Sequence, residues 1–205
     1  MNILLTTVIK KMTRIICAKW GEKYTDWHVE NLKHMIDTYS GINYEKFEVF
    51  TKNNYGNMYN KLEIFDTYKD DENIYFDLDM IIYNKVPNLK RKTFTLMYDW
   101  WREPYHTPLN SSIVSWTGDA SHIWKKFKSN NEYYLKKYPH SIDEFYFKEI
   151  EYDTFDKICY SIKKHEYDKE ANKDFSICTF GQMQHLFEKG WTGWWSDYLK
   201  SSIAH

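Results

Sequence analysis

A chain of 205 residues, 42% of them hydrophobic, can bury one sizeable core, which excludes global disorder. Lys+Arg 28 against Asp+Glu 29 leave a formal net charge of −1, so the signature of a general nucleic-acid binder is missing, although a local basic groove is not excluded. Only 7 Gly and 4 Pro exclude collagen-like and loop-dominated chains, while aromatics at 19% demand a ring-rich core or a stacking surface for flat ligands such as bases or sugars.

Cys17, Cys159 and Cys178 form no CxxC pair and sit in apolar segments, so they read as buried small hydrophobes rather than zinc ligands or disulfide partners. The opening apolar run has its lysines after it and no small-x-small cleavage site, which is the wrong layout for a signal peptide. No stretch reaches the length of a membrane span. The expectation is a cytoplasmic protein of one domain, 1–205, with 1–13 as an irregular extension, Met12 as an alternative start and patterned sequence from Arg14.

From Arg14 the elements alternate. Arg14 to Ala18 is a short apolar strand. A helix follows, capped by Thr25 or Asp26, with Val29, Leu32, Ile36 and Tyr39 as one stripe and Gly41 as its stop. Phe47 to Thr51 is a second strand, and Tyr59, Leu62 and Phe65 mark a short amphipathic helix. Asn73 to Ile82 reads as one long, strong strand. This β-α-β-α-β order predicts an α/β fold with a mainly parallel sheet flanked by helices. Past Pro87 the spacing predicts strands at Phe94–Tyr98 and Ile113–Trp116, and helices capped by Ser121 and Ser141. Later strands are expected at Ile158–Ile162 and Phe175–Phe180, then an aromatic helix or turn from Trp191 to Leu199.

Asp77-Leu78-Asp79 carries the chemistry. In a strand, residues two apart face the same side, so both carboxylates are expected to point into one space. Two carboxylates amid apolar residues are costly unless a cation or donors compensate them. Paired oxygen ligands suit a hard divalent ion, Mg²⁺ or Mn²⁺, that also holds substrate phosphates. Asp70-Asp71-Glu72, a few residues upstream, reads as a solvated surface run.

The string Tyr75-Phe76-Asp77-Leu78-Asp79-Met80-Ile81-Ile82 resembles the metal-binding Asp-x-Asp strand of nucleotide-sugar glycosyltransferases of the glycosyltransferase-A fold. Ala18 to Tyr24 is similar to the first strand-to-loop segment of a bacterial and viral branch of these enzymes. Asn60 to Phe65 is similar to the helix before the Asp-x-Asp strand, and Asn110 to Trp116 to the Asn-Ser-apolar strand after it. Ile142-Asp143-Glu144 stands where the family has Gly-Asp-Gln, and Tyr160 to Lys163 where it has Ser-Tyr-Lys. The resemblance runs from Arg14 to Tyr198. It departs at Phe180-Gly181, where the family reads Phe-His-Gly; His185 is the nearest substitute for that metal or phosphate ligand.

The resemblance implies a transferase that moves a sugar from a nucleoside-diphosphate-sugar, a UDP-sugar first, onto an acceptor hydroxyl. It implies Asp77, Asp79 and His185 as metal ligands. It implies Trp20, Gly21, Tyr24 and Thr51 beside the nucleotide, and Lys61 at its diphosphate. A core Trp, a turn Gly and a solvated helix lysine explain several of these equally well. Asp143 is the first choice for acceptor binding or general base, and Asp99, beside Trp100-Trp101, the second. Glu144 completes a Ser141-x-x-Glu capping box and so reads as structural. The eight His include no HxH or HExxH pattern of a zinc hydrolase. The acceptor stays open among a glycan, a protein and a modified nucleic-acid base, the near-neutral charge speaking against the last. Two alternatives stand beside the transferase. One is a non-catalytic sugar or nucleotide-sugar binding module. The other is a sugar nucleotidyltransferase, which usually opens with a Gly-rich phosphate loop that Ala18 to Thr25 lacks.

Overall fold

The computed structural model describes residues 11–101, 107–165, 169–180 and 193–200. Among the described residues six strands form the central sheet: β1 (Thr13–Ala18), β2 (Lys46–Phe50), β3 (Glu72–Phe76), β5 (Thr95–Tyr98), β6 (Leu109–Thr117) and the two-residue β7 (Asp153–Thr154), in the order β2-β1-β3-β6-β5-β7. β1 pairs in parallel with both β2 and β3, and β5 with β7. β6 is antiparallel to both its neighbours, so it alone runs against the rest. A second sheet, β4-β9-β8, joins β4 (Met80–Ile82), β8 (Cys159–Ser161) and β9 (Ile177–Thr179). The expected mixed, mainly parallel α/β architecture is the one observed.

The two-residue period of β1 explains the layering. Ile15 and Cys17 face a core shared with Leu32 and Met35 of α1 (Asp26–Met35) and with the second sheet. Ile16 and Ala18 face a second core under the 3-10 turn Met58–Glu63, α2 (Ile64–Thr67), α3 (Ser121–Ser129), α4 (Asn131–Lys137) and α5 (Ile142–Glu149). There Tyr59, Phe65, Trp116, Phe127 and Phe145 pack ring on ring, with Tyr59 stacked 5.1 Å from Phe127 and its hydroxyl donating to Tyr138 O at 2.7 Å. That is where much of the aromatic excess goes. The three cysteines are free and buried, as their apolar flanks predict.

Local signals mostly hold, with instructive exceptions. α1 starts after Thr25 and runs into a wider π-type turn, Ile36–Ser40, that stops at Gly41 with φ 68°. Ser121 does not cap α3; its N–H donates to Asp119 Oδ1 at 2.7 Å, because the aspartate two residues earlier reaches the free amide first. Ser141 does cap α5, but its Oγ accepts from Asp143 N at 3.0 Å, one position earlier than a capping box with Glu144 requires. α4 was not expected from the sequence, and β6 is longer than expected. The most consequential correction concerns Asn73 to Ile82. This is not one strand: the chain leaves the central sheet after Phe76, turns through Leu78-Asp79 and enters the second sheet at Met80. Both halves are apolar because both are buried, so hydrophobicity alone does not reveal the break.

Candidate active site

That break places the acids. β3 lies between β1 and β6, and its ladder continues one step past its end, where Asp77 N donates to Ser112 O at 2.8 Å. Leu78 then drops into the core, and Asp79 O accepts from Phe180 N at 3.1 Å, tying the turn to the residue after β9. The two carboxylates therefore sit where the chain changes sheets. Both line a cleft of about 840 Å³ at the carboxyl ends of β1, β3, β5, β8 and β9. Open α/β sheets bind ligands outside the carboxyl ends of their strands, and this volume falls in the range of small-molecule sites.

The acid pair is asymmetric. Asp77 Oδ1 accepts from Lys61 Nζ at 2.8 Å and from the Tyr75 hydroxyl at 2.6 Å. Burial alone would raise the Asp77 carboxyl, but Lys61, with hydrogen bonds from Tyr75 and Ser112, outweighs it and holds the group below its ordinary range. Asp79 is pushed the other way, by burial and then by the Asp77 charge, against weaker opposition from Lys23 and a hydrogen bond from Tyr24. The second carboxylate is thus under-compensated beside a charged neighbour, and it sits in a cleft, where a divalent cation would relieve the repulsion. Among the described residues no group of three His, Cys, Asp and Glu side chains gathers to hold a metal. The donor set fits an ion that takes two carboxylates and fills its remaining positions from water and substrate phosphates, as Mg²⁺ does.

Around the pair, the loop after β1 supplies Trp20, Gly21, Lys23 and Tyr24 to the cleft. Gly21 has φ 62° and open space where a Cβ would point, so the left-handed backbone, not crowding, calls for glycine there. Lys61, on the 3-10 turn, also lines the cleft and is 7% exposed, so it is not a solvated helix lysine. Asp99, just past β5, lines the cleft with Trp101 and is 2% exposed. Trp100 turns away: it stacks on Phe175 at 5.0 Å, and its Nε1 donates to Cys159 O at 2.7 Å. Asp143 does not line the cleft. Its Oδ1 accepts from Ser111 N at 3.0 Å. Burial raises its carboxyl, the Asp77 charge adds to that, and Lys61 and the Ser111 bond oppose it. Thr51 is exposed past β2 and is not among the lining residues. His185 lies outside the described residues.

Lys23, Tyr75, Ser112 and the pair Lys163-Lys164 also line the cleft, and sequence reasoning assigned none of them a role. Tyr75 was findable, being two residues before Asp77 on the same strand face. Lys163-Lys164 stands just after the apolar run that becomes β8, the same strand-end logic that exposed Asp77.

No family model matches this chain, and no curated protein matches it in sequence. Solved structures do match it in shape. A glycosyltransferase involved in the glycosylation of the major capsid of PBCV-1 aligns with TM-score 0.53 and 12% identity, over 86% of this chain and 99% of that one. GlyE of Streptococcus pneumoniae TIGR4, a glycosyltransferase, aligns in its apo form with TM-score 0.65 and 9% identity, over 96% of this chain. A second GlyE structure gives 0.64 and 10%. The chain carries a glycosyltransferase-A fold. It spans 61% of the GlyE chain, and at these identities the likeness is one of fold.

Proposed function

We propose that this protein is a metal-dependent glycosyltransferase that moves a sugar from a nucleoside-diphosphate-sugar, a UDP-sugar first, onto an acceptor hydroxyl. The observation that carries the reading is the pair Asp77, half-buried, and Asp79, buried, at the crossing between two sheets and lining the large cleft. The glycosyltransferase-A fold supports it. Asp77 and Asp79 would hold Mn²⁺ or Mg²⁺, which when bound supplies a Lewis acid for the departing diphosphate.

The chain's own residues divide the remaining work. Trp20 and Tyr24, both lining the cleft, offer aromatic rings for the base. Lys23, Lys163 and Lys164 offer ammonium groups for the phosphates. Trp101 offers an apolar face for a sugar ring. In the transfer the acceptor oxygen forms a bond to the anomeric carbon, the bond from that carbon to the diphosphate oxygen breaks, and the nucleoside diphosphate leaves with the electron pair. For an inverting transfer the hydroxyl proton passes to a carboxylate. Asp99 is the better base, because it lines the cleft, whereas Asp143 is not among the lining residues and accepts from Ser111 N, which suits a positioning group. Among the described residues no helix is long and apolar enough to cross a membrane.

The test is a panel of nucleotide-sugars with Mn²⁺, scored by release of nucleoside diphosphate. Slow donor hydrolysis with one sugar, lost on adding EDTA, is expected. Tight binding of a donor with no turnover under any acceptor mixture assigns the cleft to a binding module.

A further inference from the structure

Asp77 already has a cation. Lys61 Nζ lies 2.8 Å from Asp77 Oδ1, 3.4 Å from Ser111 O and 4.8 Å from the centre of the Tyr75 ring. It reaches this place from the 3-10 turn Met58–Glu63, whose register is held by Asn57 Oδ1 accepting from Tyr59 N at 2.9 Å and by Tyr59 bonding across to Tyr138 O. An ammonium so deep in a protein is held there only by its partners. Its side chain is 9% exposed, against 25% for Asp77, so solvent reaches the carboxylate more easily than the ammonium beneath it. Asp77, Asp79 and Lys61 all line the cleft, so an arriving ion and its phosphates meet the acid pair and the ammonium together.

Resting on the metal-dependent reading above, we infer that Lys61 is the resident counter-ion of the acid pair, competing with the divalent ion for Asp77 and passing to the donor's diphosphate when metal and donor arrive together. Several consequences follow from charge alone. In the metal-free protein Lys61 compensates Asp77, so that Asp79 is not left beside a second unpaired carboxylate. It also weakens binding of a bare divalent ion, because two cations then share one acid. When the ion arrives with a diphosphate, the added negative charge gives Lys61 a new partner, so metal and nucleotide bind better together than apart. The lysine thereby disfavours an idle metal and couples metal loading to donor.

Two measurements test this on the whole protein. The first compares Mn²⁺ binding by calorimetry in the wild type and in Lys61→Met, whose apolar stem keeps the packing on Tyr75. The variant is expected to bind Mn²⁺ alone at least about tenfold more tightly, since an ion-pair competitor has been removed. The gain that UDP adds to Mn²⁺ affinity is expected to shrink. Its melting temperature is expected to fall without metal and to recover with Mn²⁺. The second measurement needs no variant: acetylation of lysines in the wild type, read by mass spectrometry. Lys61 is expected to label slowly without metal, severalfold faster with Mn²⁺, and slowly again with Mn²⁺ plus UDP. If Lys61→Met fails to fold, the labelling decides alone. Wild-type Mn²⁺ binding with unchanged Lys61 labelling, or a Lys61→Met affinity equal to or weaker than wild type, overturns the counter-ion role and leaves the transferase reading standing. No Mn²⁺ binding by either protein, with or without UDP, overturns both.

Discussion

Strand β3 carries acids at both ends, and the fold treats the two ends in opposite ways. At the amino end, Asp71 Oδ2 accepts from Arg14 Nη2 at 3.0 Å, while Arg14 Nη1 donates to Asn73 Oδ1 at 2.8 Å. Glu72 Oε2 accepts from Thr13 Oγ1 at 2.9 Å and pairs with Lys90 at 2.8 Å. Asp71 has φ 64°, a left-handed turn that aspartate tolerates better than most residues and that leads the chain into β3. This cluster is no solvated run, as its composition suggests; only Asp70 is exposed, and its two neighbours staple β1 to β3. At the carboxyl end, Asp77 takes the buried Lys61 ammonium, and Asp79, opposed only weakly by Lys23 and Tyr24, is forced upward in pKa by burial and by the Asp77 charge. Compensated carboxylates hold structure. Under-compensated ones facing a cleft store an affinity for cations.

The largest effect expected is at the carboxyl end. Asp79→Asn should cut donor turnover by more than about a hundredfold, the size seen when a charge-stabilising group is lost from a reacting centre. Its melting temperature at neutral pH and without metal should be unchanged or higher. The sign follows from the shift. A carboxyl whose folded pKa is raised costs stability once pH passes its ordinary value of 3.8, and the amide removes that cost. A marked drop in melting temperature would make this end structural too and would erase the contrast.

At the amino end the pattern should reverse. Asp71→Asn keeps the left-handed backbone but leaves the Arg14 guanidinium short of its anion, and should cost about 1–3 kcal/mol in urea unfolding. Nucleoside diphosphate binding should not change, because the two ends are separated by the length of β3. A loss of nucleotide binding larger than the loss of stability would show the ends to be coupled.

The smallest effect sharpens the same point through pH. Burial would raise the Glu72 carboxyl, but Lys90 and Thr13 outweigh it and hold it below its ordinary 4.5. Its contribution is therefore full above about pH 4.5 and fades as pH falls through the lowered folded value. Glu72→Gln should destabilise by less than about 1 kcal/mol at neutral pH, as partly exposed ion pairs do. The gap in melting temperature between variant and wild type should close as the buffer is taken below pH 4. A gap that widens in acid would mean that Glu72 acts by another route.

Much of this was legible in the chain. The alternation of short apolar strands with the Val29-Leu32-Ile36 stripe sufficed for the α/β class, because burial on one or two faces leaves a period in the sequence. Asp77-Leu78-Asp79 stood out because charges inside an apolar run need a reason. The strand argument behind it failed in its geometry: the two acids converge through a turn between sheets, not by alternation along one strand. Asp70 to Glu72 was misread for the complementary reason, since composition cannot see Arg14, 57 positions from Asp71, folded back beside it.

What the sequence determined by itself is what depends on neighbours along the chain: the periods of β1 and α1, the Gly41 stop, the Ser141 cap, and the presence of two acids where apolar residues are expected. Only the tertiary structure decided which lysine answers Asp77, that Asp99 lines the cleft while Asp143 bonds Ser111 N instead, and that Trp100 stacks on Phe175 while Trp101 lines the cleft. The reason is physical. Periodicity and capping are set by backbone geometry over a few residues, whereas the charge state of a carboxylate inside a cleft is set by whatever the fold brings within a few ångströms of it, and for Asp77 that partner lies 16 residues away on another element.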